Sequence, residues 1–434
     1  MSRSVQRLEQ CLARIHADAA RSAAIFTHVF EAAACEDAAA ADARAARGQS
    51  LGPLDGCIVS VKDLFDVAGV VTTAGSKLLQ TAQPAAQDAT IVQHLRAAGA
   101  VVIGKTNMTE FAFSGIGINP HYGTPGNALD ASRIPGGSSS GAGVAVALGM
   151  CDIAIGSDTG GSVRIPSALN GITGFKPSVS RVSRQGAFPL SFTLDSVGPL
   201  AKNVADCAAA DAVLAGLTRE QAALPARSVK GLRIAVPRGL LFTEMETAVA
   251  QAFEAAVQRL QAQGAVIEDV QWEDLVGAPF ALQQKGTLIA AEAAAIHQPY
   301  LPARAQEYDP LVRSRIERGQ SLDAATYVHI QQQRSQLHAQ WDARMANVDV
   351  VMAPTVVFTA PTIASLDAQE AFMKANALIL RNTSVFNFYD VPTLSIPAAQ
   401  AAGALPVGLM FAGQRLADRH ILAIGHALEA VLRA

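Results

Sequence analysis

Three serines, Ser138, Ser139 and Ser140, stand in a row between glycines in the stretch PGGSSSGAG at residues 135–143. A serine hydroxyl attacks a carbonyl only once a base removes its proton. The stretch therefore raises the question of where such a base lies. Ser139 is the centre of a G-x-S-x-G pattern, the nucleophile elbow, which needs a strand before the turn, a helix after it, and an acid and a histidine later in the chain. Residues 130–135, Asp-Ala-Ser-Arg-Ile-Pro, do not form an apolar strand. Of the downstream histidines, His329, His338, His420 and His426 lie in polar, helix-like surroundings without a motif, and His297 stands alone.

A lysine can serve in place of histidine. Its free pKa is about 10.4, and burial can lower it by up to several units. Lys62 sits in the apolar run CIVSVKDLFDV at residues 57–67 and is the sole lysine before Lys77. It is either such a buried base or a strand-end lysine paired with Asp63 or Asp66.

A second glycine-rich segment bears on that choice. GSDTGGSVRIP, residues 156–166, follows the apolar run Ile153-Ala154-Ile155 and leads into Pro166, a natural residue for a first helical turn. Thr159, Gly160, Gly161 and Ser162 would present successive backbone N–H groups, as an oxyanion hole requires. Glycines there let a carbonyl approach closely, and Ser162 would stand beside its own donors. A plain glycine turn between strand and helix is the simpler account of this segment alone. It leaves the serine row and Lys62 unexplained.

A third pattern, GAVVIGKT at residues 99–106, matches the phosphate-binding G-x-x-x-x-G-K-T letter for letter. A helix precedes it, however, and Ala-Val-Val-Ile reads as a buried strand whose N–H groups belong to a ladder. A core strand ending near Lys105 is the expectation, with a nucleotide-binding protein as the competing reading.

The elements that would position these groups follow from periodicity. QHLRAAGAVVIGK (93–105) and QRLQAQGAVIEDV (258–270) each run from a helix through glycine into an apolar strand. Further strands are expected at 58–61, 153–155, 233–236 and 348–352, with helices over 291–344 and a surface connection at 217–230. The first residues form an amphipathic helix, with Val5, Leu8, Leu12 and Ile15 on one face. Repeated helix–glycine–strand units indicate an α/β protein with a sheet covered by helices.

Composition sets the outer limits. The chain has 434 residues, 50% hydrophobic and 16% charged, with a net charge of −3. That is globular, with no basic surface for nucleic acid and no apolar run long enough for a membrane span. The N-terminus lacks a secretory apolar region. The five cysteines contain no C-x-x-C pair, so neither a disulfide framework nor a metal site is expected; they read as small buried hydrophobes in a cytoplasmic protein.

Taken together, residues 136–178 (GGSSSGAG through GITGFKPS), VSVKDLFDVAG (59–69), GAVVIGKTNMTEF (99–111), LDSVGPLA (194–201) and LPVGLMFAG (405–413) resemble the amidase signature family. The resemblance is dense in the first half and loose at the C-terminus. It implies one large domain over 1–434, a central mixed twisted sheet covered by helices. Within it a signature core at about 55–205, a helical insertion at about 285–345 forming the substrate pocket and a C-terminal return at about 346–434 are expected.

It implies a Ser-cisSer-Lys triad: Ser162 as acylated nucleophile, Ser138 as bridging serine after a cis peptide from Gly137, and Lys62 as base. The N–H groups of Thr159, Gly160, Gly161 and Ser162 would hold the oxyanion. Asp158 and Arg164 are expected to support the nucleophile through hydrogen bonds, or else to form a surface ion pair. Ser139 and Ser140 are expected to be loop hydrogen-bonding groups. Met108, Phe111, Ser114 and Asp390 are candidate pocket residues. Phe111 would be a wall or ordinary core, and Asp390, standing where the family often has glycine, would read an amine or cap a turn. The expected activity is hydrolysis of a small or medium-sized carboxylic amide without metal or cofactor, in a chain that forms a homodimer. The rival within the family is the glutamine-hydrolysing component of an amidotransferase complex.

Overall fold

The computed structural model describes residues 4–399 and 401–433. Its strands are β1 (Phe26–Val29), β2 (Ile58–Lys62), β3 (Val101–Thr106), β4 (Ile153–Asp158), β5 (Thr173–Lys176), β6 (Ser196–Ala201), β7 (Arg233–Pro237), β8 (Val266–Val270), β9 (Val350–Pro354), β10 (Thr393–Pro397) and β11 (Gly408–Ala412). All belong to one sheet in the order β1-β3-β2-β4-β6-β5-β10-β11-β9-β7-β8. The β3-β2-β4 and β9-β7-β8 groups are parallel, while the other neighbours are antiparallel. One mixed sheet running from Phe26 to Ala412 makes the chain a single α/β domain.

The strands at the heart of the sheet are buried on both faces. Every residue of β2, β3 and β4 is buried, as expected for parallel strands covered by helices on each side. One core cluster packs Val59, Val61, Val102, Ile153 and Ile155 against one layer. Ile58, Val101, Ile103 and Ala154 face the opposite layer, which includes Leu8, Cys11, Leu12 and Ile15 of the N-terminal helix Ser4–His16. Four cysteines are buried, but Cys35 is exposed, against the expectation that all five are core residues.

Both helix–glycine–strand units are present: Thr90–Ala97 leads to β3 and Thr247–Ala262 to β8. The region at 285–345 is helical, with Leu288–His297, Leu301–Arg304, Pro310–Gly319 and Ala324–Arg344. The connection at 217–230 contains a short helix, Arg219–Ala222, that the sequence pattern does not signal. No helix among the described residues is long and apolar enough to cross a membrane.

The nucleotide-binding reading fails on β3. Residues 101–106 are strand, and Lys105 is buried within an ion pair, its Nζ 2.8 Å from Asp63 Oδ1 and 3.1 Å from Thr72 Oγ1. No loop of inward N–H groups exists there to cradle a phosphate.

Candidate active site

The parallel strands β2 and β4 end side by side, with Val61 opposite Ile155. Their carboxyl ends therefore place Lys62 and the Ser157–Asp158 pair at one edge of the sheet, where α/β folds gather their chemistry. Chain reversal then returns the serine row to that edge. No strand leads into Gly137, and the helix Ser140–Ala147 begins directly after Ser139.

Lys62 is fully buried. Its Nζ lies 2.7 Å from Ser138 Oγ and 2.9 Å from Ser157 Oγ. Asp63, the carboxylate that could have paired with it, is taken by Lys105. Among the described residues Lys62 has no ion-pair partner, so its burial is uncompensated. Burial lowers its pKa from 10.5 to about 7, with Asp158 and Asp195 pulling weakly the other way. Neutral Lys62 is thus accessible near pH 7, and its lone pair can accept a proton from a hydroxyl. Ser157 carries no motif of its own. Its neighbours Gly156 and Asp158 hide a hydroxyl that the strand register aims at Lys62.

The peptide bond Gly137–Ser138 is cis. Gly137 also lies against backbone: a Cβ there would come within 2.8 Å of Gly117 N and of Thr109 Oγ1. Ser138 carbonyl accepts from Thr109 N–H at 3.0 Å, and Ser139 N–H donates to Ser162 carbonyl at 3.3 Å. The serine row and the Ser162 loop are therefore joined back to back. Ser139 Oγ donates to Ser157 carbonyl at 3.3 Å. Ser140 Oγ, expected to bond within the loop, is buried without a partner among the described residues.

The loop carrying Ser162 is held by an internal ion pair. Asp158 and Arg164 are both fully buried, with Arg164 Nη2 at 2.9 Å from Asp158 Oδ1 and Nε at 3.0 Å from Oδ2. This rules out the surface-pair alternative. Asp158 also accepts from Gly161 N–H at 2.8 Å and Val163 N–H at 3.1 Å. The Gly161 N–H is therefore engaged, which narrows the expected oxyanion donors to Thr159, Gly160 and Ser162. Burial works to raise the Asp158 carboxyl, but Arg164 and Asn387 outweigh it and hold the group well below the usual carboxylate range.

Three further residues, invisible as motifs, fix this loop. Thr383 Oγ1 donates to Gly160 carbonyl at 2.6 Å, Asn387 Nδ2 to Asp158 Oδ1 at 2.8 Å, and Thr159 Oγ1 to Asp195 Oδ1 at 2.6 Å. Thr383 and Asn387 stand one helical turn apart on the helix Gln369–Phe388, a spacing that places them on one face. Asp195 lies within a segment of the resemblance that assigns it no role.

A cavity of about 240 Å³ reaches the site at Ser157 and is walled by Phe65, Ala112, Phe188 and Phe192. None of the four candidate pocket residues lines that cavity itself. Met108 is fully buried, and Phe111 packs its ring against Phe188, His297 and Tyr308. Ser114 Oγ donates to Asn376 Oδ1 at 2.8 Å. Asp390 occupies a left-handed turn (φ 52°) and accepts from Val179 N–H at 2.8 Å, which favours the turn-capping alternative over amine recognition. No group of His, Cys, Asp and Glu among the described residues is placed to hold a metal ion.

The geometry so described can be set beside known proteins. Residues 6–422 match the family described as Amidase. A 2-amino-5-chloromuconic acid deaminase of Comamonas testosteroni is 37% identical over 91% of this chain and 86% of its own length. One component of the glutamyl-tRNA(Gln) amidotransferase of Chloroflexus aggregans is 36% identical over 99% of this chain and 93% of its own. A solved amidase superposes with a TM-score of 0.88 at 35% identity, covering 99% of this chain and 96% of that one.

Proposed function

This chain belongs to the amidase family and hydrolyses carboxylic amides, and on that premise we propose that Lys62, Ser138 and Ser162 carry the reaction through a seryl acyl-enzyme. The observation that carries the proposal is the 2.7 Å contact between Ser138 Oγ and a buried lysine that no carboxylate neutralises.

Neutral Lys62 accepts the Ser138 proton as Ser138 accepts that of Ser162. Ser162 Oγ then bonds to the amide carbon. The carbonyl oxygen becomes an oxyanion, received by the N–H groups of Thr159, Gly160 and Ser162. The C–N bond breaks as Ser138 returns a proton to the departing nitrogen, drawn in turn from Lys62. Water, deprotonated along the same path, attacks the ester carbon, and the bond to Ser162 Oγ breaks as that oxygen takes the proton back from Lys62 through Ser138, releasing the carboxylate. Asp158, Arg164, Asn387 and Thr383 act by holding the loop, and Ser157 by orienting Lys62.

The substrate is a small or medium-sized amide. The helical region at 285–345 forms part of its pocket, between the core at 55–205 and the C-terminal return at 346–434. We further propose a homodimer, carried from the resemblance and tested by sedimentation. Five free cysteines support a reducing, cytoplasmic setting.

An amide library screened with the purified chain tests the assignment. Wild type should hydrolyse at least one member, and Ser162→Ala should lose about 10³-fold or more in kcat. The likeness to a component of an amidotransferase supplies the rival reading. A chain of that kind would release ammonia from glutamine only with its partner chains present, and such dependence would displace the free-standing hydrolase.

A further inference from the structure

Strand register brings a second carboxylate to the oxyanion loop. β4 and β6 pair with Asp158 opposite Ser196, and Ser196 Oγ donates to the Asp158 carbonyl at 2.9 Å. The residue before Ser196 therefore meets the residue after Asp158. Thr159 Oγ1 donates to Asp195 Oδ1 at 2.6 Å, the one hydrogen bond of that hydroxyl among the described residues. The other carboxylate oxygen serves a different segment. Asp195 Oδ2 accepts from the N–H groups of Leu190 at 2.9 Å and Ser191 at 3.0 Å. Asp195 thus bridges the oxyanion loop and the wall of the 240 Å³ cavity, to which Leu190 belongs.

That wall is itself fastened. Glu292, on the helix Leu288–His297, accepts from Ser191 Oγ at 2.5 Å, from Thr193 Oγ1 at 2.7 Å and from Thr193 N–H at 3.1 Å. Thr159 is therefore tied through Asp195 to a fixed frame. The same residue supplies the first of the proposed oxyanion N–H groups, whose aim follows from this tie.

The charge of Asp195 is treated unlike that of Asp158. Asp158 is answered by Arg164 at 2.9 Å. Asp195 is buried, its partners are a hydroxyl and two N–H groups, and no cation is within ion-pair reach of it among the described residues. Arg184 lines the same cavity and acts on Asp195 at longer range only. Ser157 also lines that cavity, and its Oγ is 2.9 Å from Lys62 Nζ. Burial lowers the Lys62 pKa, while the charges of Asp158 and then Asp195 raise it; Asp63 is occupied by Lys105.

We propose that Asp195 is a positioning residue for the hydrolysis, which aims the Thr159 N–H at the oxyanion and brings an unpaired negative charge to the cavity bordered by Ser157 and Lys62. The charge favours the ammonium form of Lys62, so the base appears at higher pH than it would without Asp195. The inference rests on the amidase reading and adds a residue outside the triad.

Two substitutions separate the two effects, measured on an uncharged amide such as benzamide. Thr159→Val removes the hydroxyl and leaves the charge. It should lower kcat by about 10- to 100-fold with KM little changed, and keep the acid limb of kcat/KM where wild type has it. Thr159→Ser should recover most of the rate. Asp195→Asn keeps the size and removes the charge, and its single acceptor oxygen cannot serve both Thr159 and the two N–H groups. It should lower kcat on the same scale and move the acid limb to lower pH, a change that a merely structural role would not produce. Wild-type kcat in either variant, or an unmoved limb in Asp195→Asn, overturns the proposal. If Asp195→Asn does not fold, Thr159→Val decides alone.

A further measurement needs no turnover. The melting temperature of Asp195→Asn is compared with that of Asp195→Asn/Lys62→Met from about pH 5 to about pH 11, and that of wild type with Lys62→Met over the same range. The difference should begin to climb at lower pH in the Asp195→Asn background, because the folded Lys62 there releases its proton earlier. Equal onsets overturn the proposal even if no amide tried is hydrolysed. Undiminished activity in Ser162→Ala would count against the triad instead, with the melting onsets still deciding the role of Asp195.

Discussion

The Nζ of Lys62 lies 2.7 Å from Ser138 Oγ, and the carboxylate next in sequence, Asp63, turns instead to Lys105 on the neighbouring strand. Two buried lysines on adjacent strands thus have opposite fates. The ion pair accounts for Lys105, while Lys62 has hydroxyls for company and a pKa of about 7. If the neutral form is the base, kcat/KM must rise as Lys62 loses its proton. We expect kcat/KM to increase about tenfold per pH unit below pH 7 and to level off above it, on a neutral amide whose own charge does not change. A flat profile between about pH 5.5 and 8.5, with chemistry limiting, would remove Lys62 from the role.

The same shift has a consequence for stability. In the unfolded chain Lys62 keeps its proton up to its ordinary value of 10.5, whereas in the fold it loses the proton at about 7. Between those limits the unfolded state binds more protons, so wild-type stability must rise with pH through that window. A Lys62→Met variant lacks this contribution, and the other groups cancel in the comparison. The melting temperature of wild type relative to Lys62→Met should therefore climb from about pH 7 to about pH 10. A difference that stays constant, or moves the other way, would contradict the assigned environment.

Legibility from sequence followed range. Lys62, Ser138 and Ser162 sit in dense local patterns, and the strands that carry the lysine and the Ser157–Asp158 edge, β2 and β4, are continuous apolar runs, so both could be read. β5 and β6 could not. Their residues, such as Thr173-Gly174-Phe175-Lys176 and Ser196-Val197-Gly198-Pro199, lack apolar runs or clean alternation and become strands through pairing with distant partners. Thr383 and Asn387 were silent for the same reason. A polar residue inside a helix looks like a solvent-facing one until the sheet edge it touches is known. Asp390 stayed between two roles in the sequence because a residue at positive φ does not announce its conformation.

Asp158 and Arg164 offer a test of how much the loop depends on its internal pair. Both are buried, and Asp158 also collects the N–H groups of Gly161 and Val163. Asp158→Asn keeps the shape but removes the charge that answers Arg164. Removing one partner of a buried pair destabilises by about 3–5 kcal/mol. The depressed carboxyl contributes its stabilisation above about pH 4 and loses it only as pH falls through the folded value, so the loss should be complete at neutral pH. We expect a clear drop in melting temperature together with a fall of about tenfold or more in kcat, since the loop bearing Ser162 loses its anchor. Wild-type stability and rate in this variant would mean that the pair is incidental.

Gly161 separates the loop's conformation from its chemistry. Its φ of 138° lies where L side chains rarely sit, and a Cβ there would run into the Thr383 side chain and come within 2.6 Å of Ile165 Cδ1. Thr383 cannot move aside freely, because its hydroxyl holds the Gly160 carbonyl at 2.6 Å. Gly161→Ala must therefore shift the loop, and with it the N–H groups of Gly160 and Ser162 proposed to receive the oxyanion. Overpacking of this kind destabilises by about 1–3 kcal/mol, and displacement of an oxyanion donor lowers kcat by about 10²-fold or more. A rate in Gly161→Ala equal to wild type, in a protein of unchanged melting temperature, would show that the loop tolerates the methyl and that its glycine is not what shapes the site.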